Sequence, residues 1–515
     1  MSFDTVSTTS TATYQQPAAD PRRISTGVSG LDEILHGGLP PHHVYLVAGD
    51  PGTGKTTLGL QFLLAGVARG ETVLHIALSE TKDEIISVAA SHGWNAEGIN
   101  IYELGRDEQG LGPEGQYTVF HPAEVELTET TKAIMDYVEK VNPSRIVVDS
   151  LSELRMLARE PLRYRREVLW LKQFFGQRDT TVLFLDDKTS ERYDLQLQSI
   201  THGVIMLEHM PREYGSKRRR LEVLKLRGAR FRDGYHDYNI TTGGLDVFPR
   251  VQPQIHPHAD GEEAGIMHSG IQELDDLLAG GLHVGTSSLI AGPAGSGKSS
   301  LATRYAVSAA ARGEKVAFYV FDESIQTLML RSRGLGIPVE KYLADGSMLL
   351  QQIDPAELSP GEFAHRVRIE VERGAKVVVI DSLNGYLNSM PGEGFLTSHM
   401  HELLSYLHFK GVTSLLILAQ HGFVGSNMVT PVDVSYLADN VLLLRYFEAG
   451  GEVRQAISVL KRRSGGHERT IRELRLGDNM IKVGRALSDF RGVLTGVPTY
   501  VGKGALLEGM GEDNQ

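Results

Sequence analysis

The chain has 515 residues, 41% hydrophobic and 23% charged, the proportions of an ordinary globular protein long enough for two large α/β units. With no cysteine it has no disulfide framework, thiol chemistry or thiolate zinc site, and no apolar run approaches the ~18 residues that span a bilayer. A net charge of −12 argues against nucleic acid as a partner, and the polar start carries no signal peptide, so a cytoplasmic location is expected.

Residues 1–23, rich in Ser, Thr, Ala and Gln, read as a disordered leader, and a first domain is expected over 24–250. Val44 to Ala48 suits a buried strand, and Leu58, Leu60, Phe62, Leu63 and Leu64 suit a helix closing near Gly70. Between them run Gly49, Asp50, Pro51, Gly52, Thr53, Gly54, Lys55 and Thr56, followed by Thr57. This fits the phosphate-binding loop G-x-x-x-x-G-K-[ST], in strand, turn and helix context. The glycines let backbone N–H groups face an anion. Lys55 is placed for the β- and γ-phosphates of ATP, and the Thr56 hydroxyl for Mg²⁺.

Farther along, Thr72 to Leu78 reads as a strand leading to Glu80, and Asp83 to Ala90 begins a helix. Gly105 to Pro122 reads as an irregular loop and Thr130 to Lys140 as an amphipathic helix. Arg145 to Ser150 is an apolar strand with an acidic end, Arg163 to Gln177 a helix, and Thr181 to Leu185 a core strand. Strands alternating with helices imply a parallel sheet covered on both faces. Val204 to Leu207, Leu221 to Leu226 and Tyr238 to Thr241 read as antiparallel strands appended at the sheet edge. Residues 251–264 form a linker, where His256 and His258 read as solvated, since nothing nearby completes a ligand set.

The second domain, expected over 265–500, repeats the first. Its loop is Gly292, Pro293, Ala294, Gly295, Ser296, Gly297, Lys298 and Ser299, followed by Ser300, and Lys298 follows Lys55 by 243 residues. The offset also carries Gly27, Leu31 and Asp32 onto Gly270, Leu274 and Asp275, and Glu80 onto Glu323. Such a shared register is a duplication. Strands are expected at Val316 to Phe321, Val377 to Asp381 and Ser414 to Ala419, with antiparallel pieces at Val441 to Tyr446 and Ala456 to Leu460. Residues 501–515 read as a flexible tail.

Each module carries the further groups that phosphoryl transfer needs. Asp149 and Asp381 end apolar strands and suit Mg²⁺ or its water shell, with Thr56 and Ser299 as the hydroxyl ligands. Glu80 and Glu323 follow the next strand, where a carboxylate polarises a water in line with the γ-phosphate. Gln420 ends a second-module strand as a candidate γ-phosphate sensor, where the first module has Asp186 and Asp187.

The tandem of RecA-like modules, with S-x-G-[IV]-x-x-L-D openings and L-K-L-R-G at Leu224 to Gly228, resembles the KaiC family of circadian-clock ATPases from Ile24 to about Thr499. The resemblance implies two stacked hexameric rings with ATP between subunits. It also implies that a Lys and an Arg reach the neighbour's nucleotide, here Lys225 and Arg227 in the first module and Lys461 and Arg463 in the second. The family's paired acids match Asp322 and Glu323, but the first module has Ser79 and Glu80. The family's phosphorylated Ser-Thr pair matches Ser435 and Tyr436, so a serine autokinase at Ser435 is expected and a two-site cycle is not. His202 stands where the second module has Asp439. KaiB-like or histidine-kinase proteins are the implied partners.

The reading is a P-loop ATPase of the α/β class. Each of its two tandem RecA-like domains is a mainly parallel sheet flanked by helices. A rival is a RecA/RadA-type DNA-dependent ATPase using the basic segments Arg163 to Arg166 and Lys217 to Arg220 as loops; another is a nucleotide-gated signalling scaffold.

Overall fold

The computed structural model describes residues 22–104, 122–188, 197–210, 215–251, 265–354, 356–388, 396–420, 437–477, 479–494 and 498–502. They form two compact units that divide between Pro249 and Arg250, with residues 215–216 grouped with the second.

In the first unit the elements are α1 (Ser29–Ile34), β1 (Val44–Gly49), α2 (Lys55–Val67), β2 (Val73–Ala77), α3 (Lys82–Ser91), β3 (Ile99–Glu103) and α4 (Pro122–Val141). Then come β4 (Arg145–Asp149), α5 (Leu151–Ala158), α6 (Pro161–Gly176), β5 (Thr181–Asp187), β6 (Gly203–Met210), β7 (Arg218–Leu226), β8 (Tyr235–Thr241) and β9 (Gly244–Phe248). They build one nine-stranded sheet in the order β3-β2-β4-β5-β1-β6-β7-β8-β9. The run from β3 to β6 is parallel and the last three strands are antiparallel.

The sheet is buried on both faces, which explains why its strands read as unbroken apolar runs. Alternate residues serve two cores. Tyr45, Val47 and Val147 pack with α1, α2 and α3, while Val44, Leu46, Ile146 and Val148 pack with α4, α5 and α6.

The second unit opens with β10 (Ile266–Met267), α7 (Gln272–Leu277), β11 (Leu282–His283), β12 (Ser287–Gly292), α8 (Lys298–Ala311), β13 (Lys315–Val320) and α9 (Ile325–Gly334). It continues with α10 (Val339–Ala344), β14 (Met348–Gln352), α11 (Pro360–Glu372), β15 (Ala375–Asp381), α12 (Leu383–Asn388), α13 (Leu396–Phe409) and β16 (Thr413–Ala419). The last strands of its main sheet are β17 (Asn440–Ala449), β18 (Glu452–Arg462), β19 (Arg472–Gly477) and β20 (Met480–Ala486). Its sheet order, β14-β13-β15-β16-β12-β17-β18-β19-β20, repeats the first strand for strand.

Two expectations need correction. Val204 to Leu207 and Val441 to Tyr446 are not antiparallel additions, because β6 pairs parallel with β1 and β17 pairs parallel with β12. Five consecutive buried residues open each of these strands, the pattern of a central strand, and the direction reverses only at β7 and β18. The basic segments are not loops either. Arg163 to Arg166 lie in the first turns of α6, and Arg218 to Arg220 lie in β7. Of the expected loop at Gly105 to Pro122 only Pro122, the first residue of α4, is described; residues 105–121, the His pair of the linker, and Ser435 with Tyr436 lie outside the described residues.

Candidate nucleotide site

In each unit the carboxyl ends of the parallel strands converge on one loop, where open α/β sheets place their ligands. β1 ends at Gly49 and α2 starts at Lys55, so residues 50–54 form the loop, and residues 293–297 do the same between β12 and α8. Gly54 and Gly297 occupy the N-cap positions at φ of 91° and 98°, a left-handed turn that a side chain rarely adopts. Tyr238 of β8 donates its hydroxyl proton to the Thr53 carbonyl at 2.7 Å, and Tyr446 of β17 donates to Ala294 at 3.1 Å, fixing each loop from the adjoining strands.

The two lysines are buried in different company. Lys55 Nζ donates to the carbonyls of Gly49 and Asp50 at 3.0 and 3.1 Å and pairs with Asp187 at 2.7 Å. Lys298 donates to the Pro293 carbonyl at 2.7 Å, and burial pushes its pKa down to about 8 although Asp381 pulls the other way. The register explains the difference. Asp187 lies opposite Gly49, and the residue opposite Gly292 is Ala419, so the second unit has no acid there. Gln420 donates its backbone N–H to Gly292, as Lys188 does to Gly49, so its counterpart is Lys188 and not Asp186 or Asp187. Its side-chain Oε1 is buried without a hydrogen bond. Asp186 is turned to an ion pair with Arg155 of α5.

Behind the lysines stand the strand-end acids. Thr56 Oγ1 donates to Asp149 Oδ2 at 2.7 Å, and Ser299 hydrogen-bonds Asp381. Burial pushes each carboxyl up to about 6, with the hydroxyl bond opposing. Asp381 Oδ2 is buried with no hydrogen bond at all. A hydroxyl beside a desolvated carboxylate with an unused oxygen suits a hard cation such as Mg²⁺, which takes one or two protein oxygens and fills its remaining positions with phosphate and water. One residue here has no mate in the second unit. His75 of β2 is fully buried 3.9 Å from Asp149, neither ring nitrogen is hydrogen-bonded, and burial pushes its pKa down to about 4; the equivalent position is Phe318.

Glu80 and Glu323 precede the N-caps that start the next helices. Thr81 and Glu84 form a capping box on α3, and Ser324 accepts from the Thr327 N–H on α9, so the chain is pinned just after each glutamate. Burial, aided by Glu84, raises the Glu80 pKa. Glu323 is ion-paired to Arg331 of α9 at 2.5 Å. Asp322 accepts a hydrogen bond from Ser382, just beyond β15.

Lys225, Arg227, Lys461 and Arg463 do not join these groups. Arg227 N–H donates to the His202 carbonyl and His202 N–H to Val44, which places Arg227 level with the start of β1. The strand runs on five residues to Gly49, about 16 Å, before the loop begins. Lys225 donates to the Gln198 carbonyl and Arg227 to Ser199 at 2.9 Å. In the second unit Arg463 and Asp439 repeat the ladder onto Ser287, and Lys461 donates to Ala438 at 2.8 Å. His202 stacks on His43 with ring centroids 3.7 Å apart, and burial pushes its pKa down to about 4.

Two arginines of the basic strand β7 are paired within its own sheet. Arg218 pairs with Asp237 at 3.0 Å, and Arg220 pairs with Glu208 at 2.9 Å while lying over the Tyr235 ring. Among the described residues no helix is long and apolar enough to cross a membrane.

Two P-loop modules with repeated strand order, acids and cations define a tandem nucleotide-binding protein of RecA-like architecture. A protein-family model described as "ATPase: KaiC" matches residues 24–252 and 267–488, and the chain belongs to that family. Similar proteins include the circadian clock oscillator protein KaiC of Parathermosynechococcus lividus, 27% identical over 92% of this chain and 88% of that one. The protein of the same name from Synechococcus elongatus is 26% identical over 93% of this chain and 92% of that one.

Proposed function

We propose that both modules bind and hydrolyse Mg-ATP, and that the chain acts as a timing or signalling ATPase whose sites are shared between copies of itself. The observation that carries the reading is the repeated convergence of a buried P-loop lysine with a hydroxyl–carboxylate pair, Thr56 with Asp149 and Ser299 with Asp381. Lys55 and Lys298 bind the β- and γ-phosphates, the hydroxyl–carboxylate pairs hold Mg²⁺, and Glu80 and Glu323 take the proton of the attacking water. Bound Mg²⁺ neutralises phosphate charge. The displaced cations support a neighbour's role: Lys225 and Arg227 lie too far along the strand to reach their own loop, as do Lys461 and Arg463, so a ring of copies, a hexamer as in the family, brings them to the next subunit's nucleotide. Autophosphorylation at Ser435, with Asp322 and Glu323 as the base pair, and KaiB-like or histidine-kinase partners rest on the family resemblance.

Nucleotide counting tests the core of this reading. Wild type is expected to hold two nucleotides per chain, and Lys55→Ala or Lys298→Ala one. A variant that still holds two would exclude that module's loop as the binding site. Stimulation of hydrolysis by single-stranded DNA would favour the DNA-dependent rival instead.

A further inference from the structure

The two modules hold their candidate bases in opposite states. Glu80 has an oxygen, Oε2, buried and without a hydrogen bond, and no cation among the causes that shift it. Its repeat mate Glu323 has both oxygens bonded to a single nitrogen of Arg331, at 2.5 and 2.6 Å. Arg331 sits in the last turn of α9, two turns beyond the Ser324 cap. Helical side chains lean toward the N-terminus, which carries the guanidinium back to the residue before the cap. In the repeat register the first module has Val88 at this place, packed against the core beneath the sheet. Among the described residues no cation is paired with Glu80.

We infer that Arg331 is a positioning residue that holds Glu323 away from water and so restrains hydrolysis in the second module. The inference rests on the ATPase reading above. In the reaction a water O–H bond breaks as its oxygen bonds to the γ-phosphorus, the bond to the ADP oxygen breaks, and the proton passes to the glutamate. A carboxylate whose two oxygens are both held at one guanidinium nitrogen must turn from that pair before it can align a lone pair on the attacking water. The other terminal nitrogen of Arg331, Nη2, is buried with no acceptor, and the guanidinium charge already acts on Asp381. An unmet donor beside the phosphate site is costly until an anion meets it. Because Nη1 alone carries the pair to Glu323, a phosphate oxygen can satisfy Nη2 without releasing the clamp. The second module would then hold ATP longer than it turns it over.

The test isolates the second module by Glu80→Gln and compares it with Glu80→Gln/Arg331→Val, which installs the first module's residue. Turnover at saturating ATP should rise about fivefold or more, a small part of the ~10²-fold or more that a general base supplies. Nucleotide stoichiometry should stay at two per chain. Arg331→Lys, still able to pair, should remain within about twofold of its parent. Equal or lower turnover in Arg331→Val with both sites filled would overturn the inference. Should Arg331→Val lose its nucleotide, the converse variant decides: Val88→Arg in a Glu323→Gln background should slow the first module, and unchanged turnover there would refute the clamp. Absence of hydrolysis in wild type with both sites filled would instead sink the ATPase reading, and the clamp with it.

Discussion

Lys55 illustrates how one residue's partner sets the starting state of a site. It is paired to Asp187 at 2.7 Å, so that carboxylate competes for it with a phosphate at the loop. Asp187 is one-third exposed, so the pair is worth no more than about 1 kcal/mol after solvent screening. Asp187→Asn should therefore tighten ATP binding to the first module by roughly fivefold, measured with a fluorescent nucleotide in a Lys298→Ala background. Weaker binding would mean that Asp187 serves the bound nucleotide instead of competing with it.

At the scale of elements, β2 and β13 are the same strand with one telling exchange, His75 for Phe318. The folded pKa of His75, about 4, lies below the ordinary 6.5, so between these values the unfolded chain binds more protons than the folded one. The protonation of this histidine therefore costs stability as the pH falls through that window and adds no cost above it. The gain in stability from His75→Phe should be about 2 kcal/mol larger at pH 5 than at pH 8, read from urea unfolding of the two proteins at both pH values. An equal gain at both would assign the effect to packing alone. The same strands show what could be read without coordinates. Unbroken apolar runs ending in Asp149 and Asp381, and glycines flanking Lys55 and Lys298, are local patterns, and they stood in the sequence. The parallel pairing of β6 and β17 was hidden, because a short strand before a basic segment looks alike at an edge or beside β1. Asp187 was visible as an acid, but only the register set it against Gly49 and Lys55. Arg331 was recoverable: the 243-residue offset sets it against Val88, and a cation replacing a core valine after Glu323 is a signal in itself.

For the whole molecule, the decisive geometry is the separation of Lys225 and Arg227 from the loop of their own unit. On the shared-site reading, subunits carrying Arg227→Ala and subunits carrying Glu80→Gln, both with Glu323→Gln, are each deficient alone. Mixed and reassembled, they should regain part of the first module's turnover, since some interfaces then join an intact Arg227 to an intact Glu80. An arginine supplied from a neighbour is worth on the order of 10³ in rate, so even a few repaired interfaces stand clear of background. No recovery despite demonstrated mixing would exclude sharing. The same placement ties the chemistry to abundance. On that reading a chain whose cations start about 16 Å along the strand from its own loop would be idle by itself, and two chains would make one working site. Output per chain would then climb with concentration and fade on dilution, so the protein would report how much of itself is present before it reported anything else.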